Sequence, residues 1–80
     1  MRTVHELKIE DVYFDQINDG AKKFEVRYND RGYQNGDHIK FLDQYKCPRF
    51  NSGIWEIIYI HSGLGMAENF VVLGIIRIDK

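Results

Sequence analysis

The chain has 80 residues, of which 44% are hydrophobic, 14% aromatic and 29% charged. This length suits one domain with one core and excludes a separate catalytic module. No apolar run approaches the roughly 18 residues of a membrane-spanning helix, and residues 1–6 lack the apolar stretch of a secretory signal. We therefore expect a cytoplasmic protein, and its single cysteine, Cys47, excludes an internal disulfide or a thiolate zinc site.

The charges are unevenly distributed, although the formal net charge is only -1. Residues 1–21 hold two cations and five acids, a balance of about -3, whereas residues 22–49 hold seven cations and four acids, about +3. A modest basic patch is therefore expected from the middle of the chain. A generic polyanion binder would usually be more basic.

The predicted elements run strand, helix and then four strands. Residues 3–9 alternate as a half-buried strand that places His5, Leu7 and Ile9 inward. A helix of about two turns follows, with Asp11 as its predicted N-cap and Gly20 as its stop. In the second strand, residues 23–28, the alternation predicts a core face and an outward face: Phe24, Val26 and Tyr28 inward, Lys23, Glu25 and Arg27 outward.

The second half is predicted to be all strand. Residues 38–42 form the third strand, with Ile39 and Phe41 inward, and residues 43–53 form a loop that fits a hairpin connection. Residues 54–61 form the fourth strand, residues 66–69 one helical turn, and residues 70–78 a strand covered on both faces. We expect an α+β fold, a small barrel of about five strands with one short helix after the first strand. A flat sheet with the helix laid across it is the alternative.

Three ionised side chains lie where the helix passes into the second strand: Lys22, Glu25 and Arg27. We expect them to converge on a ligand-sized hollow, because such junctions border clefts more often than the middle of a strand does. The alternative is a solvated strand face whose charges pair with neighbouring strands.

Aromatic rings near cations are candidate stacking platforms for a base. Most aromatic side chains of so small a domain are needed for the core. Tyr33 beside Arg31, and Tyr45 near Lys46, have the most polar surroundings, so we favour one of these two over Trp55 as the platform. His5 is predicted to be a structural, hydrogen-bonded imidazole. The spacing of the three histidines matches no metal-ligand motif, so we expect no metal and no other cofactor.

Several of these segments together resemble a known family. They are His5–Ile9, the pattern Gly20-x-Lys22-x-x-Glu25-x-Arg27, and Gly36-Asp37. Over roughly the first half of the chain they resemble ASCH domains of the PUA-like superfamily, in particular its short bacterial and phage members. The resemblance implies a PUA-like β-barrel, a cleft between helix and barrel beside the Lys22, Glu25 and Arg27 element, and recognition of RNA or a nucleotide.

Some ASCH relatives are amidohydrolases that remove acyl groups from modified cytidine. They use a lysine at the place of Lys22, a hydroxyl residue at the place of Glu25 and a distant glutamate, for which Glu56 and Glu68 are the candidates here. In the binding alternative Lys22, Arg27 and Arg31 hold phosphate or a base edge, Glu25 accepts from an exocyclic amine, and Tyr33 or Tyr45 stacks.

The acidic amino-terminal third leaves a third alternative, a protein-interaction domain. In each case we expect a monomer without a membrane partner.

Overall fold

A computed structural model describes residues 3–49 and 52–79. Its elements follow the predicted order, strand, helix and four strands. Their bounds are β1 Val4–Lys8, α1 Asp11–Asn18, β2 Phe24–Tyr28, β3 His38–Leu42, β4 Trp55–His61 and β5 Phe70–Arg77. Within the described ranges, no helix has the length and apolar character needed to cross a membrane.

The five strands form one sheet that curls into a half-barrel, so the flat-sheet alternative is wrong. The strand order is β1-β3-β4-β5-β2, with β1 parallel to β3 and every other pair antiparallel. β1 and β2 are therefore the two edge strands. Curling brings them near each other across a gap, which we call the seam.

The core lies on the concave side of the sheet. Its members are buried, and six of them are below 2% exposure: Phe41, Leu7, Ile17, Ile39, Ile57 and Leu73. The helix contributes Phe14 and Ile17, since these two side chains lie one turn apart on its apolar face. The predicted inward positions of β1 and β3 are confirmed.

The predicted faces of β2 are wrong. Glu25 is buried at 6% exposure, whereas Phe24, Val26 and Tyr28 are 44%, 45% and 51% exposed. The register with β5 explains the reversal, because Glu25 lies opposite Leu73 and Arg27 opposite Val71, two core positions of β5. Paired residues share a face of the sheet, so the charged positions of β2 point to the concave side.

Three smaller predictions also need correction. The N-cap of α1 is Glu10 rather than Asp11, and its side chain makes no capping hydrogen bond. Residues 66–69 form turns instead of a helical turn. The outer face of β5 is partly exposed, because burial alternates along the strand.

The buried histidine has the structural role predicted for it. His5 Nε2 lies 2.9 Å from Asp37 Oδ2 and donates to it, and the Gln34 amide donates to the same oxygen at 3.1 Å. The Thr3 amide donates to Asp37 Oδ1 at 3.4 Å. Burial alone would raise the pKa of Asp37, but these hydrogen bonds hold the pKa below its usual value. Asp37 thereby joins β1 to the loop that enters β3.

The lowered pKa of Asp37 gives a pH dependence of stability. A carboxyl group whose folded pKa is depressed stabilises the fold fully above its unfolded pKa of 3.8, and that contribution disappears as pH falls through the folded value. We therefore expect the melting temperature to fall below about pH 4 more steeply in the wild type than in Asp37→Asn. Circular dichroism melts at pH 7, 4 and 2.5 measure this difference, and parallel curves for the two proteins would contradict it.

Candidate anion-binding site

The turn that ends α1 positions Lys22. Gly20 has a φ of +89°, a left-handed conformation that glycine adopts without strain. The Lys22 amide then donates to the Gln16 carbonyl at 2.9 Å, which fixes the backbone beside the last turn of the helix. The Lys22 ammonium lies 4.8 Å from the centroid of the Tyr13 ring and 5.3 Å from that of Phe24. Lys22 therefore bridges α1 and β2.

The three predicted charged residues do come together, around the carboxylate of Glu25. Arg27 Nε donates to Glu25 Oε2 at 2.9 Å, and Lys22 Nζ lies 3.6 Å from Oε1. The Glu25 side chain is 8% exposed, whereas those of Lys22 and Arg27 are 19% and 22% exposed. The solvated-face alternative for β2 is therefore wrong. We call these three residues the Lys22–Glu25–Arg27 cluster.

Two arginines close the seam between β1 and β2. Arg27 Nη2 donates to the carbonyl of Lys8, and Arg31 Nη1 donates to the carbonyl of Glu6 at 3.2 Å. Alternate carbonyls of a strand point to the same side, and those of Glu6 and Lys8 lie on the edge of β1 that faces away from β3. Guanidinium groups thus satisfy backbone acceptors that no strand covers.

A cleft of about 570 Å³ lies along this seam and is lined mainly by cations. Its charged residues are one acid, Glu6, and four cations: Lys8, Arg27, Arg31 and Lys46. We call it the basic cleft. Arg27 belongs both to this cleft and to the Lys22–Glu25–Arg27 cluster, so the two features are adjacent.

A second cleft, of about 680 Å³, lies between the start of α1 and the hairpin turn of residues 43–47, which follows β3. We call it the hairpin cleft. Lys8 lines both clefts, so they are neighbours. The other charged or aromatic residues of the hairpin cleft are Glu10, Asp11, Asp43, Tyr45 and Arg49.

The two tyrosines predicted to stack on a base differ in their exposure to solvent. Tyr45 is 76% exposed and lies in the hairpin cleft, as a platform requires. Tyr33 is only 6% exposed and packs on His5, with 4.7 Å between the ring centroids, so its prediction as an accessible platform is wrong. Burial raises the pKa of Tyr33, although Arg27 and Arg31 oppose that change. Tyr33 is therefore a core side chain. Trp55, which was not favoured as a platform, is buried in the core, and its Nε1 donates to the Ser52 carbonyl at 2.7 Å.

The two distant glutamates lie elsewhere. On β4, Glu56 Oε1 lies 3.9 Å from Nε2 of His38, which belongs to β3. Glu68 lines a separate cleft beside the turns before β5. In the described part of the chain neither lines the basic cleft or the hairpin cleft. Over residues 3–49 and 52–79, no group of three or more His, Cys, Asp or Glu side chains is arranged to hold a metal ion.

Residues 4–75 match the model of a protein family described as a domain of unknown function, DUF3850. The chain belongs to the DUF3850 family. The matched range of DUF3850 contains α1, the first four strands, most of β5, and every residue of both clefts. A comparison with curated proteins finds no match.

Sequence reasoning missed Lys8, Lys46 and Glu10 as members of the site. Lys8 had a usable signal, because the alternation of β1 places it on the outer face beside Glu6. Neither Lys46 nor Glu10 belongs to a sequence pattern that indicates its place, since loop geometry brings both residues to the clefts of this DUF3850 domain.

Proposed function

We propose that the chain is an RNA- or nucleotide-binding module of ASCH type that holds phosphate in the basic cleft. One observation carries the proposal: four cations and one acid line that cleft in a chain whose formal net charge is -1. Cations concentrated in a cleft attract anions more strongly than the same charges spread over a surface. The cytoplasmic location expected from the sequence belongs to this proposal.

The cations of the cleft have different tasks. Lys8 and Lys46 make no side-chain ion pair with the described residues, so their ammonium groups are available to a phosphate. Arg27 and Arg31 each use one nitrogen on a β1 carbonyl and keep other N–H donors. Phosphate oxygens accept from both kinds of donor, and these hydrogen bonds are charge-assisted.

Glu25 is suited to orient Arg27, and it lines neither the basic cleft nor the hairpin cleft. Its Oε2 accepts from Arg27, while its Oε1 is 3.6 Å from Lys22 Nζ, beyond hydrogen-bond distance. The amidohydrolase alternative asks Glu25 or a distant glutamate to move a proton. Because Arg27 occupies Oε2 and Glu56 and Glu68 lie away from the basic cleft, the contacts favour binding over hydrolysis.

The test removes the two unpaired cations. We expect Lys8→Gln/Lys46→Gln to weaken binding of nucleoside monophosphates or single-stranded RNA about tenfold and to reduce the salt dependence of RNA binding by about two charges. Isothermal titration calorimetry with the four nucleoside monophosphates, and filter binding of an RNA pool at several salt concentrations, measure both effects.

Lys23→Gln/Lys40→Gln is the matched control, because it removes the same charge from residues that do not line the basic cleft. An equal loss in both variants, or no binding of any nucleotide or RNA by the wild type, overturns the proposal. Release of the acyl group from an acylated cytidine by the wild type, and not by Lys22→Ala, would overturn it in favour of the amidohydrolase.

A further inference from the structure

We infer that the ligand is a single nucleoside monophosphate rather than the interior of an RNA strand, an inference that rests on the proposed function. The observation is that two clefts that share Lys8 differ in charge. The basic cleft has four cations and one acid, whereas the hairpin cleft has two cations, Lys8 and Arg49, and three acids: Glu10, Asp11 and Asp43.

The acids of the hairpin cleft outnumber its cations, and Arg49 is already paired. Arg49 Nη1 lies 2.6 Å from Asp11 Oδ1, and Arg49 Nη2 donates to the carbonyl of Ile9. Arg49 is therefore committed to the start of α1, and its guanidinium also lies 5.1 Å from the centroid of the Phe14 ring. Glu10 and Asp43 remain as carboxylates without an ion pair among the described residues.

Hydrogen bonds to Asp43 hold the turn that carries Tyr45 in this cleft. Asp43 Oδ1 accepts from the amides of Tyr45 and Cys47 at 2.8 and 3.0 Å, and the Asp43 amide donates to the Cys47 carbonyl at 2.8 Å. Leu42 and Pro48 pair at the base. Tyr45 itself is 76% exposed, so the turn is held by Asp43 while the ring stays free to stack.

This arrangement matches a molecule with one anionic end and one neutral end. The phosphate of a nucleoside monophosphate would lie in the basic cleft and its base on Tyr45, while Glu10 and Asp43 accept from ribose hydroxyls or an exocyclic amine. A strand interior has a phosphate on both sides of each nucleoside. Its second phosphate would meet the carboxylates of the hairpin cleft and be repelled.

The volumes agree with this inference. Clefts of about 570 and 680 Å³ each lie within the range of roughly 300–1,000 Å³ that holds small ligands. Together the two clefts, which share Lys8, therefore have room for a nucleoside monophosphate.

The test compares ligands on the wild type by calorimetry. We expect a nucleoside monophosphate to bind at least tenfold more tightly than its nucleoside, and no more weakly than a single-stranded octanucleotide without terminal phosphates. An octanucleotide that binds more than tenfold tighter than the monophosphate overturns this inference and leaves the proposed function standing. Failure of every phosphate-bearing ligand to bind overturns both.

Two variants then test the roles of the hairpin cleft. Tyr45→Ala should weaken the monophosphate about tenfold and leave inorganic phosphate unchanged, whereas Tyr45→Phe should keep the affinity. Glu10→Lys should raise octanucleotide affinity relative to monophosphate affinity at least fivefold, because it removes the repulsion. The Glu10 side chain makes no capping hydrogen bond that this substitution would remove.

Tyr59→Ala and Asp15→Lys are the matched controls, a 61% exposed tyrosine and an exposed acid of α1 that line neither cleft. Equal effects in a variant and its control overturn the inference, as does an unchanged ligand ratio in Glu10→Lys.

Discussion

Phe41→Ala is expected to lower the free energy of unfolding by about 4 kcal/mol. Phe41 is fully buried, and its ring meets the rings of Phe14 and Trp55 at centroid distances of 6.0 and 6.2 Å. It therefore joins α1, β3 and β4, and its removal leaves a cavity that three elements would have to fill. A domain of this length has a total stability of roughly 4–12 kcal/mol, so the loss is about a third of the total or more.

Urea unfolding followed by tryptophan fluorescence measures the loss. Val12→Ala is the control, since Val12 is 55% exposed on α1 and alanine has a higher helix propensity. We expect the control to change stability by less than about 0.5 kcal/mol. A loss below about 1 kcal/mol in Phe41→Ala would show that Phe41 does not connect these elements as described.

Arg27→Met is expected to lower the free energy of unfolding by about 3 kcal/mol, because it leaves the buried Glu25 carboxylate without its hydrogen-bonded partner. Lys22 at 3.6 Å compensates only in part. The same substitution also removes the donor to the Lys8 carbonyl at the seam. Met keeps the volume of the arginine stem, so the loss reports charge and hydrogen bonding more than packing.

A double-mutant cycle with Glu25→Leu separates these contributions. We expect Arg27→Met/Glu25→Leu to recover more than half of the loss, since no buried charge is then left unpaired. Arg31→Met is the matched control, with a side chain that is 46% exposed, and should cost less than about 1 kcal/mol. If the double variant is as unstable as Arg27→Met, the buried charge is not the cause.

The order of elements could be predicted because most of them carry a clear local pattern. β1 alternates around His5 and Leu7, and β3 alternates around Ile39 and Phe41. The end of α1 was predictable from Gly20, which has the left-handed φ that its position requires. The N-cap was not, because Glu10 caps with its backbone carbonyl and leaves no side-chain signal.

The face of β2 could not be predicted from its own residues. Its alternation is regular, but β5 beside it is apolar at both outward and inward positions, so the pairing partner does not reveal which face is buried. The long-range register of Glu25 with Leu73 decides the outcome, and the alternation of β2 contains no information about that register. The convergence of Lys22, Glu25 and Arg27 was predicted, but for an outward face, whereas the charges point to the concave side.

The closure of the half-barrel by Arg27 and Arg31 means that side chains hold its two edge strands together. Where two strands share a backbone ladder, their spacing is fixed by several hydrogen bonds at once. Here guanidinium groups connect the edge of β1 to β2 and its following loop, so a substitution at either arginine changes the closure of the half-barrel and leaves the backbone pairing of the five strands intact.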